Sequence, residues 1–335
     1  MMGEPRRWTP WLLDAQLARV AHMMPVTDLS DHLRAREATQ AFKAFVGQVA
    51  ADDRVDVREH LVSRPDDAQP LRLRLYRPKQ SDRRTLPCLV YAHGGGFVLG
   101  DLEMEHTRCQ SMAAEVGCLV VAVDFRLAPE HPYPAALNDV YLALQWVCQQ
   151  ADELQVRRER IAVGGCSTGA TLAAAVALMA RDRKGPAVCF QFLLYPALDD
   201  RLHTHSMQAY RDIPGGDRRG AALMWGHYLT GWQGEVPYLA APARAQDLAG
   251  LPPAYLMVND IDVCRDEELD YGFRLLRAGV PTELHCYSGT FHAFEIMVRS
   301  ADISLRALEQ QKAVLKRALH GRDQTDVRGT GHGEP

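Results

Sequence analysis

The sequence predicts an α/β fold in which helices cover both faces of a mostly parallel central sheet. Short runs that are apolar at nearly every position recur along the chain, as in strands that are buried on both faces. Helical stretches separate these runs, as the crossover connections of parallel strands require. The 335 residues, 47% of them hydrophobic, suffice for one large domain with an insertion or for two ordinary domains.

The first part of the chain, about residues 8–49, has a helical pattern. Two segments then alternate in period two and predict a β-hairpin at residues 55–62 and 71–76. Apolar runs predict further strands at residues 88–93, 118–123, 161–163, 188–194 and 254–258, and a last strand is predicted at 283–287. Helices are predicted at residues 103–116, 135–150, 170–180 and 266–278.

The segment of residues 201–245, called the insertion segment below, interrupts this alternation. It is polar and contains one helical stretch, at residues 218–229. We expect it to form a helical cap over one end of the sheet together with the N-terminal helices. The predicted organisation is N-terminal cap helices in 1–50, the main domain in 51–200 and 246–320, the cap insertion in 201–245, and a polar, disordered tail in 321–335.

The charge and the cysteine content indicate which binding partners and which cellular compartment to expect. Thirty-eight basic and 42 acidic side chains give a net charge of −4, which argues against nucleic acid and a stable membrane association. None of the eight cysteines forms a CxxC pair, and several lie in apolar runs, so we expect free, buried thiols in a reducing compartment. The N-terminus lacks the apolar core of a signal peptide, and residues 170–180 are too short to cross a bilayer, which predicts a cytoplasmic protein.

A candidate nucleophile lies in the sequence Gly165-Cys166-Ser167-Thr168-Gly169. A predicted strand precedes this G-x-S-x-G pattern and an apolar helix follows it. This is the context of a nucleophile elbow, a sharp turn that projects the serine hydroxyl and tolerates only small neighbours. The alternative is a tight strand–helix turn with an incidental serine.

A run of three glycines follows the predicted strand at 88–93. We call residues His93-Gly94-Gly95-Gly96-Phe97 the glycine loop. Consecutive glycines allow backbone amides to converge on a developing oxyanion, and the expected donors are the amides of Gly94, Gly95 and Thr168. A flexible hinge is the alternative, and a phosphate loop is disfavoured because no G-K-[ST] follows.

A serine nucleophile needs a base and an acid that orients the base. Among thirteen histidines, His292 stands out because it follows the last predicted strand. The acid is expected between the serine and the histidine in chain order. Asp262 is preferred because it lies beyond a strand end, Asp260 is the main alternative, and Asp266 and Glu267 are expected to begin the next helix.

Three longer signatures now resemble one known family. They are HGGGFVLGD at 93–101, DFRLAPEHPYPAA at 124–136, and the elbow followed by DVCRDE and FHAF. From about residue 86 to 296 the chain resembles the hormone-sensitive lipase family, which includes bacterial family IV esterases of the α/β-hydrolase superfamily. The resemblance implies an α/β-hydrolase fold with a helical cap, a triad of Ser167, Asp262 and His292, oxyanion amides at Gly94, Gly95 and Thr168, and no metal or organic cofactor.

The chain departs from the family pattern at the site itself. The elbow reads GCSTGAT where the family has GDSAGGN, and HAF replaces HGF. These changes remove an acid before the nucleophile and add bulk at Thr168, Ala170 and Ala293, so we expect an altered rate or substrate range. Cys166 is expected to be a small buried residue, with a thiol nucleophile as the alternative.

The resulting functional hypothesis is a serine carboxylesterase that hydrolyses short- to medium-chain carboxylic esters through an acyl-enzyme intermediate. The alternatives are an amidase or deacetylase with the same triad, and a non-catalytic relative that binds a small ligand. A small-molecule ester is the expected partner, and a homodimer is compatible with the resemblance. Aromatic residues of the cap are expected either to line a substrate pocket or to pack the cap onto the sheet: Trp8, Trp11, Phe42, Phe45, Trp225 and Tyr228.

Overall fold

The computed structural model describes residues 12–23, 27–46, 52–79 and 85–321, without the side chains of 42–46. The expectations for Trp8, Trp11, the side chains of Phe42 and Phe45, and the tail from residue 322 therefore lie outside the described residues. None of the helices within the described ranges is long and apolar enough to span a membrane.

Eight strands form one sheet in the order β1-β2-β4-β3-β5-β6-β7-β8. The β1–β2 hairpin is antiparallel, β2 pairs antiparallel with β4, and the other pairs are parallel. The predicted hairpin and the mostly parallel sheet are therefore confirmed. The strands are β1 Val55–Val62, β2 Leu71–Pro78, β3 Leu86–Ala92, β4 Leu119–Asp124, β5 Val156–Cys166, β6 Phe190–Leu194, β7 Ala254–Ile261 and β8 Thr282–Phe291.

Ten α-helices connect and cover the strands of the described chain, with a π-helical turn at Met112–Gly117 and a 3-10 turn at Pro242–Arg244. They are α1 Ala15–Ala21, α2 His32–Val46, α3 His106–Ser111, α4 Ala135–Gln149, α5 Thr168–Asp182, α6 His205–Ala209, α7 Arg218–Tyr228, α8 Arg265–Arg277, α9 Phe294–Met297 and α10 Asp302–His320. The insertion segment thus contains α6 and α7.

The core lies on both sides of the sheet. All seven residues of β3 are buried, and because neighbouring side chains of a strand point to opposite faces, both faces of β3 must be covered. Helix α5 is buried from Thr168 to Ala180, and its many alanines allow it to pack closely against β5 and β6. The α/β fold predicted from the sequence is confirmed.

The predicted boundaries differ from the observed ones where strands carry polar residues. Strand β5 begins at Val156, five residues before the predicted start, because its first part, VRRER, is charged at four of five positions and lacks the apolar pattern. Strand β8 likewise continues to Phe291, through a polar stretch. A hydrophobic pattern detects the apolar part of a strand and misses the polar part.

Candidate active site

Ser167 occupies the turn between β5 and α5. Its backbone has φ 51° and ψ −126°, a sparsely populated conformation that costs on the order of 1–3 kcal/mol. The Ser167 amide donates to the carbonyl of Leu194 in β6 at 2.8 Å, which fixes the turn to the sheet. A side chain at Gly165 or Gly169 would collide with the carbonyl oxygen of Ala92. The close approach of β3 therefore explains the two glycines of the motif.

Ser167, His292 and Asp262 form a continuous row of hydrogen bonds, although they come from three separate strand ends. The Oγ of Ser167 lies 2.8 Å from Nε2 of His292. The Nδ1 of His292 lies 2.7 Å from Oδ2 of Asp262. An ionised carboxylate only accepts hydrogen bonds, so Nδ1 carries the hydrogen and Nε2 can accept the proton of the Ser167 hydroxyl.

The Asp262 carboxylate is held in place by donors of its own loop. Its side chain is only 1% exposed. Oδ1 accepts a hydrogen bond from the amide of Cys264 at 3.0 Å, and Oδ2 accepts one from the side-chain amide of Asn259 at 3.4 Å. These donors orient Oδ2 toward His292.

The other candidate acids have different partners. Asp260 accepts hydrogen bonds from the Ser288 hydroxyl and the Gly289 amide, both at 3.4 Å. Asp266 and Glu267 lie in the first turn of α8, as expected from the sequence. Of the four acids that the sequence offered, Asp262 is the one whose carboxylate contacts His292.

The His292–Asp262 pair shifts the pKa of both partners. Burial alone would lower the pKa of His292, but the Asp262 carboxylate outweighs burial and the pKa is raised. Burial alone would raise the pKa of Asp262, but its interaction with His292 and the hydrogen bonds of Cys264 and Asn259 lower it. The pair thus favours an ionised carboxylate beside an imidazole that binds a proton readily.

The glycine loop lies beside the nucleophile. A Cβ added at Gly94 would lie 3.3 Å from the Cβ of Ser167. At Gly95, where φ is 117°, any side chain would collide with the carbonyl oxygen of Leu99. The Oγ1 of Thr168 accepts a hydrogen bond from the Phe97 amide at 3.2 Å, which ties the loop to the start of α5.

Residues 124–136, which form the second signature, contact the glycine loop and support it. The ring of Phe125 stacks on that of His93, with centroids 4.2 Å apart and planes at 14°. The amide of Ala128 donates to the carbonyl of Phe97 at 2.9 Å. Residues 124–136 therefore position the glycine loop. This gives a structural role to a signature whose residue types alone suggest no chemical role.

Helix α7 of the insertion segment packs on the same loop. The Tyr228 ring stacks on Phe97 with centroids 3.7 Å apart, and Trp225 lies 5.6 Å from the same ring. Both α7 side chains are buried. For these two residues the contacts favour packing of the cap over direct lining of a substrate pocket.

A buried ion network lies beneath the site. The guanidinium of Arg108 is 3% exposed and binds Glu105 at 2.7 Å and Glu295 at 2.9 Å. The thiol of Cys166, next to the nucleophile, donates to Glu105 at 3.3 Å. Glu105 thus places a carboxylate beside the position where the family pattern has an acid.

The same network reaches His292. The hydroxyl of Tyr195 donates to Glu295 at 2.8 Å, and the Tyr195 ring meets the His292 ring edge-on at 4.9 Å. Arg108 therefore connects Cys166, through Glu105, with a ring that packs on His292. No motif in the sequence predicts this network, and its local signals are the i,i+3 spacing of Glu105 and Arg108 and the position of Glu295 three residues after His292.

The eight cysteines are all free. Cys166 is buried as expected, and burial raises the pKa of its thiol, which disfavours the thiolate that a nucleophile requires. The expectation of buried thiols is wrong for Cys286, which is exposed on β8, and only partly right for Cys148 and Cys189. Within the described part of the chain, no three His, Cys, Asp or Glu side chains are grouped to hold a metal ion.

Comparison with known proteins gives a consistent family. A family model described as alpha/beta hydrolase fold matches residues 89–296. Esterase LipI of Mycobacterium tuberculosis is 38% identical over 260 residues, 76% of this chain and 80% of that protein. Carboxylesterase NlhH of the same species is 39% identical over 71% of this chain and 76% of that protein.

Solved structures agree with the sequence relatives. The structure of a bacterial heroin esterase superposes with a TM-score of 0.89 at 39% identity, over 93% of this chain and 99% of that chain. Its likeness extends well beyond the 89–296 region, into the N-terminal and C-terminal helices. The chain therefore belongs to the hormone-sensitive lipase family of the α/β-hydrolase superfamily.

Proposed function

We propose that this protein is a serine carboxylesterase in which Ser167 is the nucleophile, His292 the general base and Asp262 the acid that orients the base. The row of hydrogen bonds from Oγ through the imidazole to Oδ2, at 2.8 and 2.7 Å, carries the proposal. Relatives of similar length that are named esterase or carboxylesterase support the reaction class.

In the first half of the reaction, Ser167 Oγ attacks the ester carbonyl while Nε2 of His292 takes the hydroxyl proton. Asp262 stabilises the imidazolium that forms. The carbonyl oxygen becomes an oxyanion, which the amides of Gly94, Gly95 and Thr168 stabilise. The imidazolium then protonates the leaving alcohol, and the acyl group remains on Ser167.

In the second half, water enters in place of the alcohol. His292 takes a proton from this water, and the resulting hydroxide attacks the acyl carbonyl. The same amides stabilise the second oxyanion. Collapse releases the carboxylic acid and returns the proton to Ser167, so no cofactor takes part in these steps.

Two adjacent variants test the nucleophile. Ser167→Ala should lower kcat on short p-nitrophenyl esters on the order of 10⁶-fold, with binding largely kept. Cys166→Ala is the matched control, since its thiol donates to Glu105 and takes no part in the row of hydrogen bonds, and it should retain most of the rate. A Ser167→Ala enzyme that kept its rate, or a Cys166→Ala enzyme that lost it, would contradict the assignment.

The substrate range is a further part of the proposal. The insertion segment and the loop between α1 and α2 cover the glycine loop, because Met224 and Leu29 both lie close to Gly96. A covered site suits esters with short to medium acyl chains. Initial rates across an acyl series from C2 to C12 test this, with a fall beyond the medium lengths expected, and a matched anilide measures the preference for esters over amides.

The proposal also includes the cellular compartment and the oligomeric state of the protein. Eight free cysteines suit a reducing compartment such as the cytoplasm. Strand β8 is an edge of the sheet, through which two copies could pair. Sedimentation of the purified enzyme distinguishes a homodimer from a monomer.

A further inference from the structure

The insertion segment touches the backbone of His292 directly. A Cβ built on Gly215 would lie 2.6 Å from the Cβ of His292, 2.9 Å from its carbonyl oxygen and 3.2 Å from its Cα. These separations are shorter than van der Waals contact, so only a residue without a side chain fits here. Gly215 also has φ 88°, a conformation that L-residues rarely adopt.

The loop that carries Gly215 is held at its first end by residues 260–265, which include Asp262 and are called the acid loop below. The hydroxyl of Tyr210 donates to the carbonyl of Asp260 at 3.3 Å and accepts from Arg265 at 2.8 Å. After this anchor, Ile213 and Pro214 are buried. The loop therefore reaches His292 from a fixed point beside the triad acid.

The second end of the loop is held by α7. Asp217 caps that helix by accepting from the amide of Gly220 at 2.9 Å. About two and three turns further along, Met224 lies against Gly96 and Tyr228 stacks on Phe97. The segment thus contacts the acid loop, the base and the glycine loop in succession, so a shift at Gly215 is resisted from both sides.

The backbone at His292 depends on such support. His292 follows the last residue of β8, and Ala293 is in the left-handed conformation with φ 60°. Only the ring of Tyr195 among the aromatic side chains of the described chain packs on the imidazole. A backbone turning this sharply needs a rigid neighbour if Nε2 is to stay at hydrogen-bond distance from Ser167.

We propose that Gly215 is a positioning residue: its bare backbone packs on His292 and holds the imidazole in line with Ser167. This inference deepens the proposed function and rests on it. It makes the insertion segment part of the apparatus that aligns the triad, in addition to its role as a cover.

Two neighbouring glycine variants test the proposal. Gly215→Ala adds a methyl group against His292, whereas Gly216→Ala, at φ 132°, adds the same group with nothing within 4 Å. Both variants strain the backbone, but only the first displaces the base. We expect Gly215→Ala to lower kcat about 10²-fold with KM changed less than about threefold, since a misplacement of about 1 Å can cost that much. Gly216→Ala should stay within about threefold of the parent in kcat.

The outcomes separate the possible explanations. An equal loss in both variants would assign the effect to backbone strain and overturn the proposal. A change in KM without a change in kcat would mean that the added methyl group moves the loop and leaves His292 in place. This result also overturns the proposal. If Gly215→Ala does not fold, Ile213→Ala loosens the loop without adding an atom near His292, and an unchanged kcat there would count against the proposal.

Ser167→Ala is measured in the same series. If Ser167→Ala keeps its rate, the proposed function fails, whatever the glycine variants do. If Ser167→Ala is inactive while Gly215→Ala and Gly216→Ala have the same kcat, only the role of Gly215 fails.

Discussion

Replacing Asp262 by asparagine reverses the hydrogen-bond direction at the base. Oδ1 of Asp262 accepts from the amide of Cys264 at 3.0 Å, so the asparagine oxygen must take that place. Its NH₂ group then faces Nδ1 of His292 from the position of Oδ2, 2.7 Å away. Nδ1 has to accept and Nε2 has to carry the hydrogen, which leaves no lone pair for the Ser167 proton.

The expected loss follows from this change of tautomer. The geometry of the triad is retained, yet the base is in the wrong form, and such a substitution in a serine protease triad lowers kcat about 10⁴-fold. Asp262→Asn should therefore lose on the order of 10⁴-fold in kcat, with KM little changed. That corresponds to about 5.4 kcal/mol in the activation barrier.

The pH profile provides a second, independent readout. Because His292 must be neutral to act as a base and its pKa is raised by Asp262, kcat/KM of the parent enzyme should rise through a midpoint above about 6.5. In Asp262→Asn the carboxylate that opposed burial is gone. The acidic limb of the residual activity should therefore move to lower pH, measured with p-nitrophenyl butyrate from pH 5 to 9.

Asp260→Asn is the matched control. It removes the same charge two residues earlier, from a carboxylate that binds Ser288 and Gly289. We expect its kcat to stay within a few-fold of the parent. A large loss in Asp260→Asn together with an active Asp262→Asn would assign the acid to Asp260 and refute the argument.

Two further predictions concern the interior. Cys166 should react with a thiol reagent such as DTNB only after the protein is unfolded, because burial raises the pKa of its thiol; native-state labelling mapped to the peptide of Cys166, as distinct from that of the exposed Cys286, would contradict this. Arg108→Met should lower the free energy of unfolding by about 3–5 kcal/mol in urea denaturation, since it leaves Glu105 and Glu295 buried without their cation. Arg158→Met, which breaks an ion pair on a side chain 51% exposed, should cost less than about 1 kcal/mol, and equal losses would mean that burial does not decide the effect.

The residues that sequence reasoning identified share a local signature. Ser167 lies in a strand–turn–helix pattern, and His292 follows a strand, so a linear reading is enough to find both. The acid is harder to identify from the sequence. Asp260 and Asp262 both lie at the end of β7, and their side chains are expected to point the same way because alternate residues of a strand do so. Only the contact of Asp262 with His292 separates them.

The residues that the sequence did not reveal act through long-range contacts. Arg108 and Glu295 are 187 positions apart, and no periodicity relates them. Gly215 is an ordinary loop glycine until the fold brings His292 against it. A pattern read along the chain predicts which elements form, whereas these contacts depend on how the elements pack.

The order of the strands has a consequence for biosynthesis. His292 lies 125 residues after Ser167 and directly follows β8, the last strand in the described part of the chain. Until that strand leaves the ribosome and joins the sheet, the serine has no proton acceptor. Under the proposed mechanism, the nascent chain therefore gains esterase activity only after β8 has been synthesised and has joined the sheet.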